Sequence, residues 1–126
     1  METLTDFGKY LRKLRIEMGL RLYDMAKALG KSPAWLSYVE TGKKPIPVGF
    51  ADDIATQYKL PPDQRKELNR IAAKTARDFR LRVGVGASEA RINAAYALAR
   101  KFDELDDQEL KAFLRILDAV DRKSVV

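Results

Sequence analysis

The stretch from Gly19 to Lys44 constrains this chain more than any other part of it. Leu22, Met25, Ala26 and Leu29 fall at the i, i+3, i+4, i+7 positions of one helix face. Gly30 ends that helix. Ser32 can cap the next one, and Pro33 suits its first turn, where a missing N–H needs no partner. Leu36 and Val39 give this second helix its buried side, and Gly42 offers a stop. Only three residues separate the two helices.

Two short helices so joined form a helix-turn-helix, whose second helix enters the major groove of DNA. The charge agrees with that expectation. The chain carries 24 Lys and Arg against 18 Asp and Glu, a net charge of +6. Residues 9–44 hold nine of those cations (Lys9, Arg12, Lys13, Arg15, Arg21, Lys27, Lys31, Lys43, Lys44) against Glu17, Asp24 and Glu40, a local +6. Residues 76–126 hold ten basic and nine acidic residues, so they are nearly neutral. The positive field sits where phosphate would have to be met. There is no cysteine and no histidine, which removes disulfides, thiolate zinc sites, cysteine nucleophiles and the usual general base near neutral pH. No apolar run approaches the roughly 20 residues of a membrane span. Met1-Glu2-Thr3-Leu4 lacks a signal-peptide pattern, so the cytoplasm is the expected compartment.

The periodicity predicts an all-α fold. Phe7, Leu11, Leu14 and Met18 mark one face of a first helix, with Lys9, Arg12, Lys13 and Arg15 elsewhere on its surface. Thr3-Leu4-Thr5-Asp6 reads as its capping start and Gly19 as its end. After the stiff Pro45-Ile46-Pro47, a fourth helix is expected from about Val48 to Tyr58, burying Ala51, Ile54, Ala55 and Tyr58. Pro61-Pro62 opens a fifth, with Leu68, Ile71, Ala72 and Thr75 inward. Residues 1–75 thus make a five-helix domain.

Residues 76–87 change character. Phe79, Leu81, Val83 and Val85 alternate with Arg80, Arg82, Gly84 and Gly86, which is strand periodicity. The segment reads as a linker, as a short strand pairing with a second chain, or as an arginine arm on DNA through Arg77, Arg80 and Arg82. From Ser88 to residue 122 the helical period returns in two amphipathic helices, joined by an acidic turn from Asp103 to Asp107 and followed by a tail at 123–126. Their apolar residues, Ile92, Tyr96, Phe102, Leu110, Phe113, Leu114 and Leu117, form the expected dimerisation element.

Residues 1–75 resemble the Cro and phage-repressor type of DNA-binding domain. The resemblance is carried by Phe7-Gly8-Lys9-Tyr10-Leu11-Arg12-Lys13-Leu14-Arg15, Gly19-Leu20, Met25-Ala26, Leu29-Gly30, Ser32, Leu36-Ser37, Val39-Glu40 and Gly42-Lys43-Lys44-Pro45. It departs from the pattern at Arg21-Leu22, where a capping hydroxyl or carboxylate followed by glutamine is usual. That cap is lost, at a cost of about 0.5–2 kcal/mol unless another group fills in. Lys31 stands where the turn usually has valine or isoleucine. The resemblance implies that Pro33, Ala34, Ser37 and Tyr38 meet base edges. With no Arg, Lys, Asn or Gln among them, readout would lean on thymine methyls and DNA shape. Arg21, Lys31, Ser32, Lys43 and Lys44 would hold phosphates, and Trp35 either flanks the DNA or packs on the domain. Glu40 reads as structural, a partner for Arg12 or Arg15.

Such a chain is expected to bind double-stranded DNA as a homodimer, on a pseudo-palindrome, as a transcriptional regulator and most simply a repressor. The competing reading is an antitoxin or other interaction protein whose C-terminal helices grip a partner such as a toxin; a protein adaptor without DNA binding is a third. No cofactor, metal or membrane partner is expected. Asp52, Asp53 and Asp103 to Asp107 read as caps and turns, and no nucleophile–base pair points to an enzyme.

Overall fold

A computed structural model describes residues 3–76 and 78–124, the last two of these by backbone alone. Its elements run α1 (Asp6–Met18), α2 (Leu22–Ala28), α3 (Pro33–Glu40), α4 (Phe50–Gln57), α5 (Pro62–Thr75), α6 (Glu89–Lys101) and α7 (Asp107–Ser124), with a single 3-10 turn at Phe102–Glu104. The fold is all-α, and no strand occurs among the described residues. Contacts divide the chain into two compact units, Met1–Arg80 and Leu81–Val126.

In the first unit, α1 begins where Thr5 Oγ1 accepts from Gly8 N at 3.1 Å. α2 begins without a side-chain acceptor on its capping residue, Arg21. Asp24, three residues on, compensates: its carboxylate accepts from the Arg21 backbone N–H at 2.9 Å, the returning half of a capping box. Gly30 takes φ +71° just past α2, and the Lys31 N–H reaches back to the Ala26 carbonyl at 2.9 Å. A Cβ would be strained there, so this glycine sets the tight turn. Ser32 Oγ then accepts from Trp35 N at 3.1 Å and starts α3.

The core gathers Phe7, Leu11 and Leu14 from α1, Met25 and Ala26 from α2, Leu36 and Val39 from α3, Phe50, Ala51 and Ile54 from α4, and Leu68 from α5. Burial of that apolar surface is the main term holding so small a unit together. α4 starts at Phe50 rather than Val48, and Phe50, which the helical count passed over, is a central core residue. Tyr58 is only half-buried, although its hydroxyl is enclosed and unpartnered among the described residues. Met18, expected on the inner face of α1, is exposed because the helix outruns the core at that end.

The largest correction concerns Arg15. It is 7% exposed rather than a surface residue. Its guanidinium forms a two-pronged pair with Glu40, itself 2% exposed, at 2.6 and 2.9 Å, and a third contact reaches Met25 Sδ at 3.5 Å. The same Glu40 offers its backbone carbonyl to Thr5 N at 2.9 Å and to Thr5 Oγ1 at 3.0 Å. The end of α3 is therefore fixed to both ends of α1. Gly8 makes the crossing possible. A Cβ there would lie 2.9 Å from the Glu40 carbonyl carbon and nearer still to its oxygen.

In the second unit, Ser88 Oγ caps α6 by accepting from Arg91 N at 3.2 Å. Asp106 and Glu109 make a reciprocal capping box that opens α7, at 2.8 and 3.1 Å. Of the expected acidic turn, Asp103 and Glu104 lie in the 3-10 turn and Asp107 begins α7. No residue of α6 and no described side chain of α7 is buried.

Candidate nucleic-acid interface

The candidate surface is built on α3 and the chain that follows it. Pro33 and Ala34 are exposed, Ser37 is half-buried, and Tyr38 is 40% exposed. After Glu40 the chain doubles back: the N–H groups of Lys43 and Lys44 both donate to the Tyr38 carbonyl, at 2.8 and 3.1 Å. Their ammonium groups each lie 5.7 Å from the centre of the Tyr38 ring. Each such contact is worth about 0.5–1 kcal/mol at an exposed site. Tyr38, Lys43 and Lys44 thus make one cluster of a polar aromatic ring and two cations.

At the other end of α3, Trp35 packs edge-on against Phe50, with ring centres 5.2 Å apart and planes 85° apart. It is a wall of the core as well as a flank of the surface. Lys31 Nζ sits 4.9 Å from its ring centre. Ser32 Oγ is engaged as the helix cap, Pro33 has no N–H, and the Trp35 N–H is taken by Ser32. Among the described residues, only the Ala34 N–H of this first turn is left open to an anion.

Arg21 has a partner within its own helix start. Its guanidinium lies on the Asp24 carboxylate at 3.1 and 3.2 Å, and that bond holds the Asp24 carboxyl below its ordinary range. The pair is exposed and hence weak, so a phosphate would have to displace or share it. Asp52 is not a cap: its Oδ1 accepts from Arg65 and Asn69 at 3.1 and 2.9 Å, tying α4 to α5. Among the described residues no set of three acidic side chains is placed to hold a metal ion.

In the second unit, Ile92, Tyr96, Phe102, Leu114 and Leu117 are exposed, while Leu110 and Phe113 are half-buried. Ile116, which the seven expected positions omit, is exposed as well. Arg77 lies outside the described residues, so its expected place on an arginine arm is not described.

Glu40 was expected to be structural and to pair with Arg12 or Arg15, and it pairs with Arg15; what sequence reasoning missed is that this pair is buried. Phe7, Leu11 and Arg15 follow one another at i, i+4 and i+8, and Glu40 is adjacent to Val39 and four residues from Leu36. Each charged residue occupies an inward position of its helix. That pattern was the available sign of a buried pair.

A capped helix, a glycine turn and a second helix with cations at its far end define a DNA-binding helix-turn-helix domain. The profile of a helix-turn-helix domain family matches residues 6–68, half of the chain, and the chain belongs to that family. No curated protein and no solved structure gives a significant match. No described helix is long and apolar enough to cross a membrane.

Proposed function

We propose that the protein is a homodimeric, sequence-specific transcriptional regulator, acting as a repressor on a pseudo-palindromic DNA site. The observation that carries this reading is the Tyr38–Lys43–Lys44 cluster at the exposed end of α3. It gathers the side chain assigned to base reading and the two assigned to phosphate, on a helix fixed by the buried Arg15–Glu40 pair. The reader is apolar apart from Ser37 and Tyr38, so affinity rests on the cations and specificity on thymine methyls, one tyrosine hydroxyl and DNA shape.

Selection of bound duplexes from a random pool tests this. The full chain should recover a symmetric site, and Tyr38→Ala should change the preferred bases at one position of each half. A featureless pool from both proteins would sink the base-reading assignment.

One such domain covers a half-site, and symmetry doubles it. The open apolar side chains of α6 and α7 support a second copy as their cover. Leu114→Glu with Leu117→Glu should convert a dimer to a monomer in sedimentation at micromolar concentration and weaken binding to the symmetric site by at least tenfold. A wild-type monomer, or a dimer that survives these changes, removes α7 as the dimer element and returns that face to a protein partner of antitoxin type.

A further inference from the structure

The first unit neutralises most of its own arginines. Arg15 pairs with Glu40, Arg21 with Asp24, Arg65 with Asp52 and Arg70 with Glu67. Among the described residues of this unit, Arg12 and Arg80 pair with no carboxylate. Arg12 is exposed on α1. Arg80 is exposed at the end of the segment leaving α5, and its position is informative.

The residue before it, Phe79, lines a shallow, mainly apolar cavity of about 140 Å³ together with Ala76 of that segment and Pro47 and Val48 of the loop before α4. That loop is the direct continuation of Lys43 and Lys44. Val48 follows Lys44 by four residues, which holds the two within roughly 14 Å of each other. Phe79 thus brings the start of the linker beside the chain that carries the cationic end of the α3 surface. B-DNA presents a phosphate every 3.4 Å or so along each strand, so a duplex held at Lys43 and Lys44 offers further phosphates at such a distance.

The geometry points to a second DNA-anchoring site outside the helix-turn-helix: Arg80 binds the sugar–phosphate backbone next to the half-site, with Phe79 as its hinge pin. Asp78 is the acid nearest in sequence and leaves the stretch from Asp78 to Arg82 at +1. The site adds affinity and no base preference. It rests on the DNA-binding reading above, and its test separates the two.

The full chain is titrated with a mixed-sequence DNA duplex over a range of salt concentrations. Arg80→Gln should lower the slope of log affinity against log salt by about 0.9, the share of one phosphate contact. Arg80→Lys should keep the slope. Arg80 is exposed, so thermal unfolding should not move. Lys43→Ala with Lys44→Ala serves as the reference and should lower the slope by about 1.8. If only the lysine pair lowers it, the linker site is wrong and the helix-turn-helix reading stands. If neither change lowers it, both fall.

Discussion

Gly8→Ala destabilises the first unit by about 3 kcal/mol in urea unfolding of the full chain, although the same change elsewhere in a helix stabilises. Within a helix, alanine is better than glycine by about 0.5–1 kcal/mol. Here the new methyl would meet the main chain of Glu40, with the carbonyl carbon at 2.9 Å, well inside van der Waals contact. Main chain cannot rotate aside as a flexible side chain can. Either α1 and α3 separate or the backbone of the last α3 turn shifts, and overpacking of this kind costs about 1–3 kcal/mol or more. Separation would also break the two bonds from Thr5 to the Glu40 carbonyl. Gly8→Val should prevent folding of the unit altogether. A stabilised Gly8→Ala protein would show that α1 and α3 do not cross this closely.

The Arg15–Glu40 pair gives the second large effect. Glu40→Ala leaves a buried guanidinium without its counter-charge, and Arg15→Ala leaves a buried carboxylate. Each should cost about 3–5 kcal/mol. Arg15→Met with Glu40→Leu removes both charges at once and should recover most of that loss, since apolar replacement of a buried pair is often neutral or better. The difference between the double variant and the sum of the singles measures the coupling. Single variants costing under about 1 kcal/mol would mean that the pair is hydrated and free to open. The double variant separates two roles. If it folds but selects DNA less sharply, the pair holds the angle of α3 rather than the stability of the unit.

Most of the fold was legible in the sequence because its signals are local. The apolar spacing of Leu22, Met25 and Leu29, the glycine at 30 and the Ser32-Pro33 start each act within one turn of chain, and each reappears in the structure. What was not legible depends on contacts between distant segments. The sequence offers Glu40 either Arg12 or Arg15 as partner, and the choice of Arg15, with both groups buried, is made only when the two meet across 25 residues. Phe50 sits at the start of α4 beside Val48 and Gly49, where no periodicity is established, and only the rings of Phe7 and Trp35 show why it is buried. The missing cap at Arg21 was visible, but its remedy required seeing Asp24 turn back to the Arg21 N–H rather than outward. On the candidate surface the residue types were legible from spacing alone. The gathering of Tyr38, Lys43 and Lys44 was not, because it comes from the chain folding back on α3 after Gly42.

The seat of Trp35 has a practical consequence. It is the single tryptophan of the chain, and its indole stands where α3 rests on α4, edge-on to Phe50 and beneath the Lys31 ammonium. Its ultraviolet emission therefore reports one location, the seam between α3 and α4. A loosened seam shifts the emission toward the red, while displacement of the Lys31 ammonium from the ring should perturb its intensity without such a shift. The molecule carries its own optical gauge of whether α3 is seated, and no label has to be added to follow it.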